Sequence, residues 1–507
     1  MSVQATAGVG VGSWIERRAR IDPDRPAIIS GDRPVTYAEL AERIRRLAGG
    51  LSRLGVVHGD RVAWLGPNHG AFLEAFFAAG TLGAVLAPVN HRLAPNERAR
   101  VLEDAEPKVL IEHHTVLHTR APASVHGRLM VGGGARDGAV DYEAFVAGSP
   151  EHVPDTDIDL DDLLFLPHTS GTTGSPKGVM LSHGNVTWNV VNLLTRADFR
   201  GDDVTIAIAP FFRVGGTGVN VLPVLFLGGT VVVPVDVTGD GLLGAIERHR
   251  VSVGFGNPDV LDELTRARRW AVADLSGVRF ILTGGAPVPE RLTRAYHDRG
   301  VALVQGYGLS EAGPLVLLLD AERSLQKVGS AGRPPLLVEI RIVDPDGHDV
   351  DPGETGELLA RGPNVMSGYW RRPAETGEAL VAGGWLRTGD AARMDDDGDV
   401  WIVDRVDARF IAGGRTVYPG DVERQLMAHP EVADAGVAGF ATPEGDVVGA
   451  AFVVLLPGSS VTESELLEFV RRRLPPHEVP SSVTFLGRLP RSPVGKLLRA
   501  ELRALPG

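Results

Sequence analysis

The chain contains no cysteine. That excludes disulfides, zinc–cysteine sites and a thiol nucleophile, and it fits a reducing compartment. Lysine is nearly absent as well: Lys108, Lys177, Lys327 and Lys496 are the only four among 51 lysines and arginines. Such a bias reflects the genome, and a lysine that survives it marks a place for a compact ammonium rather than a forked guanidinium. The basic excess of a general nucleic-acid binder is missing, since the net charge is −13, so no nucleic-acid partner is expected. A long uninterrupted apolar run is missing too. The greasiest stretch, VLPVLFLGGTVVVPV at 221–235, is broken by Pro223, Gly228, Gly229 and Pro234. It is short for a bilayer span and reads as a buried helix, turn and strand. The N-terminus shows no basic start followed by an apolar stretch, so no signal peptide is expected and the reading is cytoplasmic.

What is present is a long chain with an alternating pattern. At 507 residues it exceeds one hydrophobic core and calls for two or more domains. VTYAELAERIRRLAGGLSRLG at 35–55 opens on a capping box, Thr36 and Glu39, and continues as an amphipathic helix. Apolar strand-like runs recur at 204–210, 230–235, 278–285 and 301–308, with helical stretches between them such as PDVLDELTRARRW at 258–270, capped by Asn257. Strands alternating with helices predict parallel α/β layers. After residue 335 the pattern turns β-rich: VEIRIVDPDGHDV reads as a hairpin around DPDG, and GELLARG and DVWIVDR as further strands. From about Arg405 two helices alternate with short strands, and Thr462 and Glu465 make a second capping box. The expected architecture is therefore α/β: a large N-terminal domain, 1–404, of parallel α/β layers plus a β-rich subdomain, and a small α+β C-terminal domain, 405–507.

One loop stands out. TSGTTGSPKG at 169–178 combines flexible glycines, hydroxyl donors and backbone N–H groups with a following lysine, the means by which a loop wraps phosphate oxygens. Walker A spacing is not met, because no glycine directly precedes Lys177 and glycine rather than Ser or Thr follows it. On composition alone a plain Ser/Thr/Gly-rich surface loop stays open beside the phosphate reading.

The loop is followed, in order, by LTGGAPV (282–288), QGYGLSEAG (305–313), GWLRTGD (384–390), VDRVDARFIAGG (403–414) and RLPRSPVGKLLR (488–499). Together these six segments resemble the signatures of the acyl-adenylate-forming superfamily: acyl-CoA synthetases, the adenylation domains of peptide synthetases, and luciferases. The resemblance spans essentially the whole chain. It implies that the carboxylate of an acid attacks the α-phosphorus of ATP, pyrophosphate leaves, and a thiol then takes the acyl group from the adenylate. ATP and Mg2+ are implied as cofactors, CoA as acceptor, and a small-molecule acid as the partner, with a carrier protein as the alternative acceptor.

Carried over position by position, the resemblance assigns Thr169, Ser170, Gly171, Thr172, Thr173, Gly174 and Lys177 to the loop over the β- and γ-phosphates. Glu311 and Thr173 would face magnesium, a hard cation that suits oxygen ligands. Tyr307, between Gly306 and Gly308, would stack on adenine, with Gly285, Ala286 and Pro287 on its other side and Ser310 nearby. Asp390 would accept both ribose hydroxyls and Arg405 would hold the ribose. Lys496 would bridge the acid's carboxylate and the α-phosphate, where one point charge reaching two oxygens suits lysine. Asp407 matches the hinge about which the C-terminal domain swings, bringing either Lys496 or the thiol-side Gly413 and Gly414 to the site. Phe212, Arg213, Gly216, Gly256, Asn257, Gly284, Gly306, Leu309 and Pro314 would line the acid's pocket. The small residues there suggest room for an aryl or modest acyl group.

The sequence departs from the pattern in four places. Ser310 stands for a usual Thr and keeps the hydroxyl. Val494 stands for a small polar residue, with Lys496 kept. Arg213 replaces a usual His beside the reacting carboxylate. Its guanidinium either pairs with a second anionic group on the substrate or turns away to a structural carboxylate. Arg415 and Thr416 replace a usual Glu–Asn pair on the thiol side. The leading reading is an AMP-forming acid–CoA ligase. The alternatives are an enzyme that loads a carrier protein, an ATP-dependent activator of a non-standard substrate such as nitrite with no thioester made, and a degenerate homologue that only binds nucleotide.

Overall fold

Strands such as VLAPV, Val85–Val89, are apolar and buried at every position rather than alternating. Such strands belong in parallel sheets covered on both faces, and the computed structural model places them there. The structure describes residues 9–31, 33–134, 136, 138–170, 176–442, 446–491 and 497–505.

Two large sheets form the body. In one, the parallel strands Ala302–Tyr307, Phe280–Thr283, Val253–Gly256, Val204–Ile206, Thr230–Val233 and Pro26–Ser30 lie side by side, with short antiparallel edges at Leu317–Leu318 and Arg33–Thr36. The other is built around Val85–Val89, Arg61–Leu65, Val109–His113 and Gly127–Val131, all parallel. At its far edge Leu163–Phe165, Pro176–Ser182 and Gly368–Tyr369 pair antiparallel. The helices between carry the predicted stops and starts. Tyr37–Arg53 begins at the Thr36–Glu39 capping box, with both reciprocal bonds made, and its apolar stripe packs on Gly70–Thr81. The run 221–235 is a buried helix, Val221–Leu227, a glycine turn and the buried strand Thr230–Val233. Among the described residues no helix is long and apolar enough to cross a membrane.

The β-rich part is an antiparallel sheet of Glu339–Val343, Gly356–Arg361, Trp385–Met394, Leu380–Val381 and Val400–Arg405. DPDG turns the chain as expected, with Asp344 accepting the backbone N–H of Asp346 and His348. The short hairpin is closed by an antiparallel bridge, Val343 to Asp349, and by Val350 N–H on the Ile342 carbonyl at 3.0 Å. The other edge of Glu339–Val343 pairs along its length with Gly356–Arg361.

Beyond Val406–Ala408 the chain builds a separate core. Val417, Val422, Leu426, Val437, Val453 and Leu466 pack among themselves, as do Ala438, Phe452, Leu489 and Leu502. The large core holds no buried residue beyond Val400. Helix Glu463–Arg471 starts at the predicted Thr462–Glu465 box. The contacts joining this part to the body are mostly polar: Asp404 accepts from Gly420 N–H at 2.6 Å, Arg424 donates to the Ile402 carbonyl, and Arg499 reaches Asp404 at 3.1 Å. Gly420 rides so close to the Val403 carbonyl that an added Cβ would stand 2.2 Å from it.

Candidate active site

The phosphate-type segment is flanked by two paired strands. His168–Ser170 pairs antiparallel with Pro176–Ser182, placing Thr169 opposite Lys177. Gly171, Thr172, Thr173 and Gly174 lie outside the described residues, as does Lys496; of Ser170 only the backbone is described. His168 anchors the pair through its Nε2 to Asp104 at 3.1 Å. The Lys177 ammonium stands 5.4 Å from the centre of the Tyr369 ring.

Tyr369 is reached from the other side by Glu311. Its phenol donates to Glu311 Oε1 at 2.8 Å. Glu311 sits on the short 3-10 turn Ser310–Ala312. Burial pushes its carboxyl above the usual range, and the Tyr369 hydrogen bond pulls the other way. A buried carboxylate with no cationic side chain bonded to it among the described residues fits a magnesium ion, because an added cation would offset the cost of burying the charge.

The turn beneath it is crowded backbone. At Gly308 a Cβ would fall 1.5 Å from the Pro314 carbonyl oxygen, and at Gly284 one would fall 2.7 Å from the Gly306 carbonyl. The Gly284–Gly306 approach continues the pairing of Thr283 with Gln305 past the strand end, and exposed Gly285–Pro287 follow from there. Both strands are parallel neighbours in the sheet, and the carboxyl ends of parallel strands are where such sheets bind ligands.

Tyr307 donates to Asp390 Oδ2 at 2.5 Å. Arg405 lies directly opposite Asp390 on the neighbouring strand, donates to Asp390 Oδ1 at 3.1 Å and to the Thr388 carbonyl at 2.9 Å. Gly389 leaves the space the guanidinium needs, since a Cβ there would be 2.5 Å from it. Burial and the Asp390 charge hold the Tyr307 phenol well above its ordinary pKa, so it stays a donor. The charges of Arg405 and Asp390 also act on Glu311, so the two groups of residues are near neighbours. Asp407 follows, exposed, 3.6 Å from Arg405 Nε.

Arg213 caps the short helix Val214–Gly218. No described residue gives its guanidinium a hydrogen bond or ion pair. Its pKa is lowered, first by desolvation and then by Arg92. The side chain therefore does not turn to a structural carboxylate among the described residues. Beside it, His91 packs edge-on against Phe212 at 5.6 Å.

The family models agree with this geometry. That of the AMP-binding enzymes matches residues 15–370, and that of the AMP-binding enzyme C-terminal domain matches 421–496. The chain belongs to the AMP-binding enzyme family. It is 45% identical to a feruloyl-CoA synthase from Amycolatopsis sp over 97% of this chain and 98% of that protein. It is 38% identical to the indoleacetate–CoA ligase of Aromatoleum aromaticum over 98% of each chain. Among solved structures, the o-succinylbenzoate coenzyme A synthetase of Bacillus subtilis in complex with ATP and magnesium ion superposes with a TM-score of 0.84. It is 30% identical over 97% of this chain and 99% of that one.

For this AMP-binding enzyme, the glycines expected at the pocket are closely packed on the side a Cβ would take. At Gly216 an added Cβ would meet the Pro210 carbonyl at 2.0 Å. Gly256 is likewise spent on packing under Leu261, at 2.9 Å. Asn257 caps helix Pro258–Arg266 by position but makes no side-chain cap bond. Leu309 packs against the large core. The residue that faces an aromatic wall is Gly215, whose Cβ would come 3.3 Å from the Phe255 ring, while Gly218 abuts Pro314. Gly215 and Phe255 fall in the small-residue stretches GGTG and GFGN, where the sequence places the acid's pocket; Tyr369 was missed, because a two-residue strand in SGYW carries no periodic signal. Gly413 and Gly414 form the two-residue turn joining Phe410–Ala412 to Arg415–Val417, at φ +56° and +75°. Two consecutive positive φ values define a type I′ hairpin and require glycine-like residues. Arg415 and Thr416 follow on the exposed returning strand.

Proposed function

We propose that this protein is an AMP-forming ligase that activates an aryl-bearing carboxylic acid with Mg-ATP and passes the acyl group to CoA. One observation carries the reading: Lys177, Glu311, Tyr307, Asp390 and Arg405, drawn from four sequence motifs, converge on one cleft at the carboxyl edge of a parallel sheet. The full-length likeness to feruloyl-CoA synthase and indoleacetate–CoA ligase supports acid activation, CoA as acceptor and an aromatic acid.

In the first half-reaction a carboxylate oxygen of the acid bonds to the α-phosphorus, the bond to the β-phosphate bridge breaks, and pyrophosphate leaves with the electron pair. The segment with Thr169 and Lys177 holds the β- and γ-phosphates. Asp390 takes the ribose hydroxyls, oriented by Tyr307 and Arg405, and Gly285, Ala286 and Pro287 face adenine. Glu311 and Thr173 would hold magnesium, which when bound neutralises phosphate charge. Lys496 supplies the cation shared by the carboxylate and α-phosphate. In the second half-reaction the thiol, losing its proton, bonds to the acyl carbon and AMP leaves.

The separate core of the C-terminal part and its polar seam with the body support rotation of residues 405–507 about Asp407. One pose then presents Lys496 and the other the Gly413–Gly414 turn. Phe255, Gly215 and Pro314 form the wall for an aromatic ring. Arg213, lacking any acidic partner among the described residues, serves as a specificity residue for an anionic or strongly accepting substituent on the acid. The test is a panel of aryl, aliphatic and dicarboxylic acids, with and without CoA, scored for AMP, pyrophosphate and acyl-CoA mass. Aryl acids giving all three support the reading, and ADP as the nucleotide product overturns it.

A further inference from the structure

We propose that Tyr369 is a positioning residue that ties the phosphate-loop lysine, Lys177, to the metal-facing carboxylate, Glu311. The inference deepens the reading above and rests on its assignment of Lys177 and Glu311.

Both halves of the link are built into the chain around Tyr369. On one side its strand, Gly368–Tyr369, is zipped to the strand carrying Lys177, with Tyr369 opposite Val179 and Gly368 opposite Met180. Trp370 N–H donates to the Gly178 carbonyl at 2.8 Å and Ser367 N–H to the Met180 carbonyl at 3.0 Å. On the other side, Met366 N–H donates to the carbonyl of Glu311 itself at 2.9 Å. Residues 366–370 thus bind the backbone of Glu311 and the strand that carries Lys177, and the Tyr369 ring lies against both side chains. The hydroxyl goes to Glu311 and the ring face to Lys177. The backbone of Tyr369 is fixed in turn by Thr376, whose hydroxyl accepts its N–H at 2.9 Å.

The chemistry needs a phenol. A phenol keeps its proton at neutral pH and donates. It holds Oε1 of Glu311 at 2.8 Å and so fixes the orientation of the carboxylate toward an incoming cation. A hydrogen bond to a charged partner and a cation over an aromatic face are separable contributions. Phenylalanine keeps the ring and loses the bond; leucine loses both. The hydroxyl should therefore set the magnesium requirement, while the ring should set the hold on the triphosphate.

The experiment measures ATP binding by calorimetry as a function of Mg2+ concentration, with no acid or CoA present. It compares the full-length wild type with Tyr369→Phe, Tyr369→Leu, Glu311→Gln and the double variant Tyr369→Phe/Glu311→Gln. Tyr369→Phe should raise the Mg2+ concentration for half-maximal binding about tenfold and leave ATP affinity at saturating Mg2+ within about threefold. Tyr369→Leu should raise the Mg2+ requirement equally and weaken ATP further. In the Glu311→Gln background the amide oxygen still accepts the phenol but the charge that faces the cation is gone, so adding Tyr369→Phe should leave the Mg2+ requirement unchanged. A thermal melt without metal checks that each variant folds. If Tyr369→Leu does not fold, the Phe variant and the cycle decide alone. A Mg2+ requirement unchanged in Tyr369→Phe, or full additivity in the double variant, overturns the proposal. Because no acid is involved, an enzyme that released no AMP would defeat the ligase reading without touching this result.

Discussion

Replacing Arg499 with methionine tests the seam between the C-terminal part and the body. Arg499 donates to both oxygens of Glu423, at 2.9 and 2.8 Å, and to Asp404 Oδ2 at 3.1 Å. Glu423 is 9% exposed and also accepts Val437 N–H at 2.8 Å. Removing one partner of a buried ion pair costs about 3–5 kcal/mol, chiefly because the remaining charge is left unpaired. Here two carboxylates would be left, so the variant should lose about that much at pH 8. Burial already pushes Glu423 up to about 7 in the native protein, with Arg499 opposing it, and Asp404 is raised for the same reason. A folded pKa above the unfolded value means that the folded state holds the extra proton, so stability is fullest below the unfolded pKa, near 4.5, and falls as pH rises through about 7. The Arg499→Met deficit should therefore shrink toward pH 5 and grow toward pH 8.5. Glu423→Gln should remove most of the fall between those limits, worth about 3 kcal/mol at about 1.4 kcal/mol per pKa unit. Urea unfolding at pH 5.5, 7.0 and 8.5, with hydrogen exchange at the Val437 amide, reads both effects. A loss under about 1 kcal/mol at pH 8, or a deficit that grows on acidification, would refute the reasoning.

Asp390→Asn should weaken ATP about 10- to 100-fold by removing a charged acceptor, with the KM for the acid unchanged; equilibrium nucleotide binding checks it. Gly308→Ala should abolish nucleotide binding, since a Cβ 1.5 Å from the Pro314 carbonyl forces the turn apart; a circular-dichroism melt separates local from global damage. Arg213→Met should lower kcat/KM for acids with an anionic ring substituent at least about tenfold more than for the unsubstituted acid, read in a two-substrate competition. Chelation with EDTA should stop AMP release, and added Mg2+ should restore it, with Glu311→Gln shifting the requirement upward.

Local chemistry was readable in the sequence. Both capping boxes, at Thr36 and Thr462, make their reciprocal bonds, because the signal lies within four residues. The buried helix–turn–strand at 221–235 followed from where Pro and Gly interrupt it. The ordered motifs pointed to the residues that meet in the cleft, although their spacing said nothing of how Tyr307, Asp390 and Arg405 bond to one another. What stayed hidden depends on distant partners. The pairing of Glu339–Val343 with Gly356–Arg361 joins segments too far apart in sequence for a turn signal to announce. The carbonyl beside Gly216 and the leucine beside Gly256 are brought there only by the fold. Tyr369 shows neither period nor charge, and its role comes from being sewn between two strands. The surroundings of Arg213 were also hidden: among the described residues no carboxylate pairs with it.

The most direct test of the central claim is a mass-resolved turnover assay with Mg-ATP, CoA and an aryl-substituted acid of the feruloyl type. Stoichiometric AMP, pyrophosphate and acyl-CoA, all abolished in Glu311→Ala, are predicted. Nucleotide binding with no AMP from any acid, or AMP with no thioester in the presence of CoA, would contradict the account.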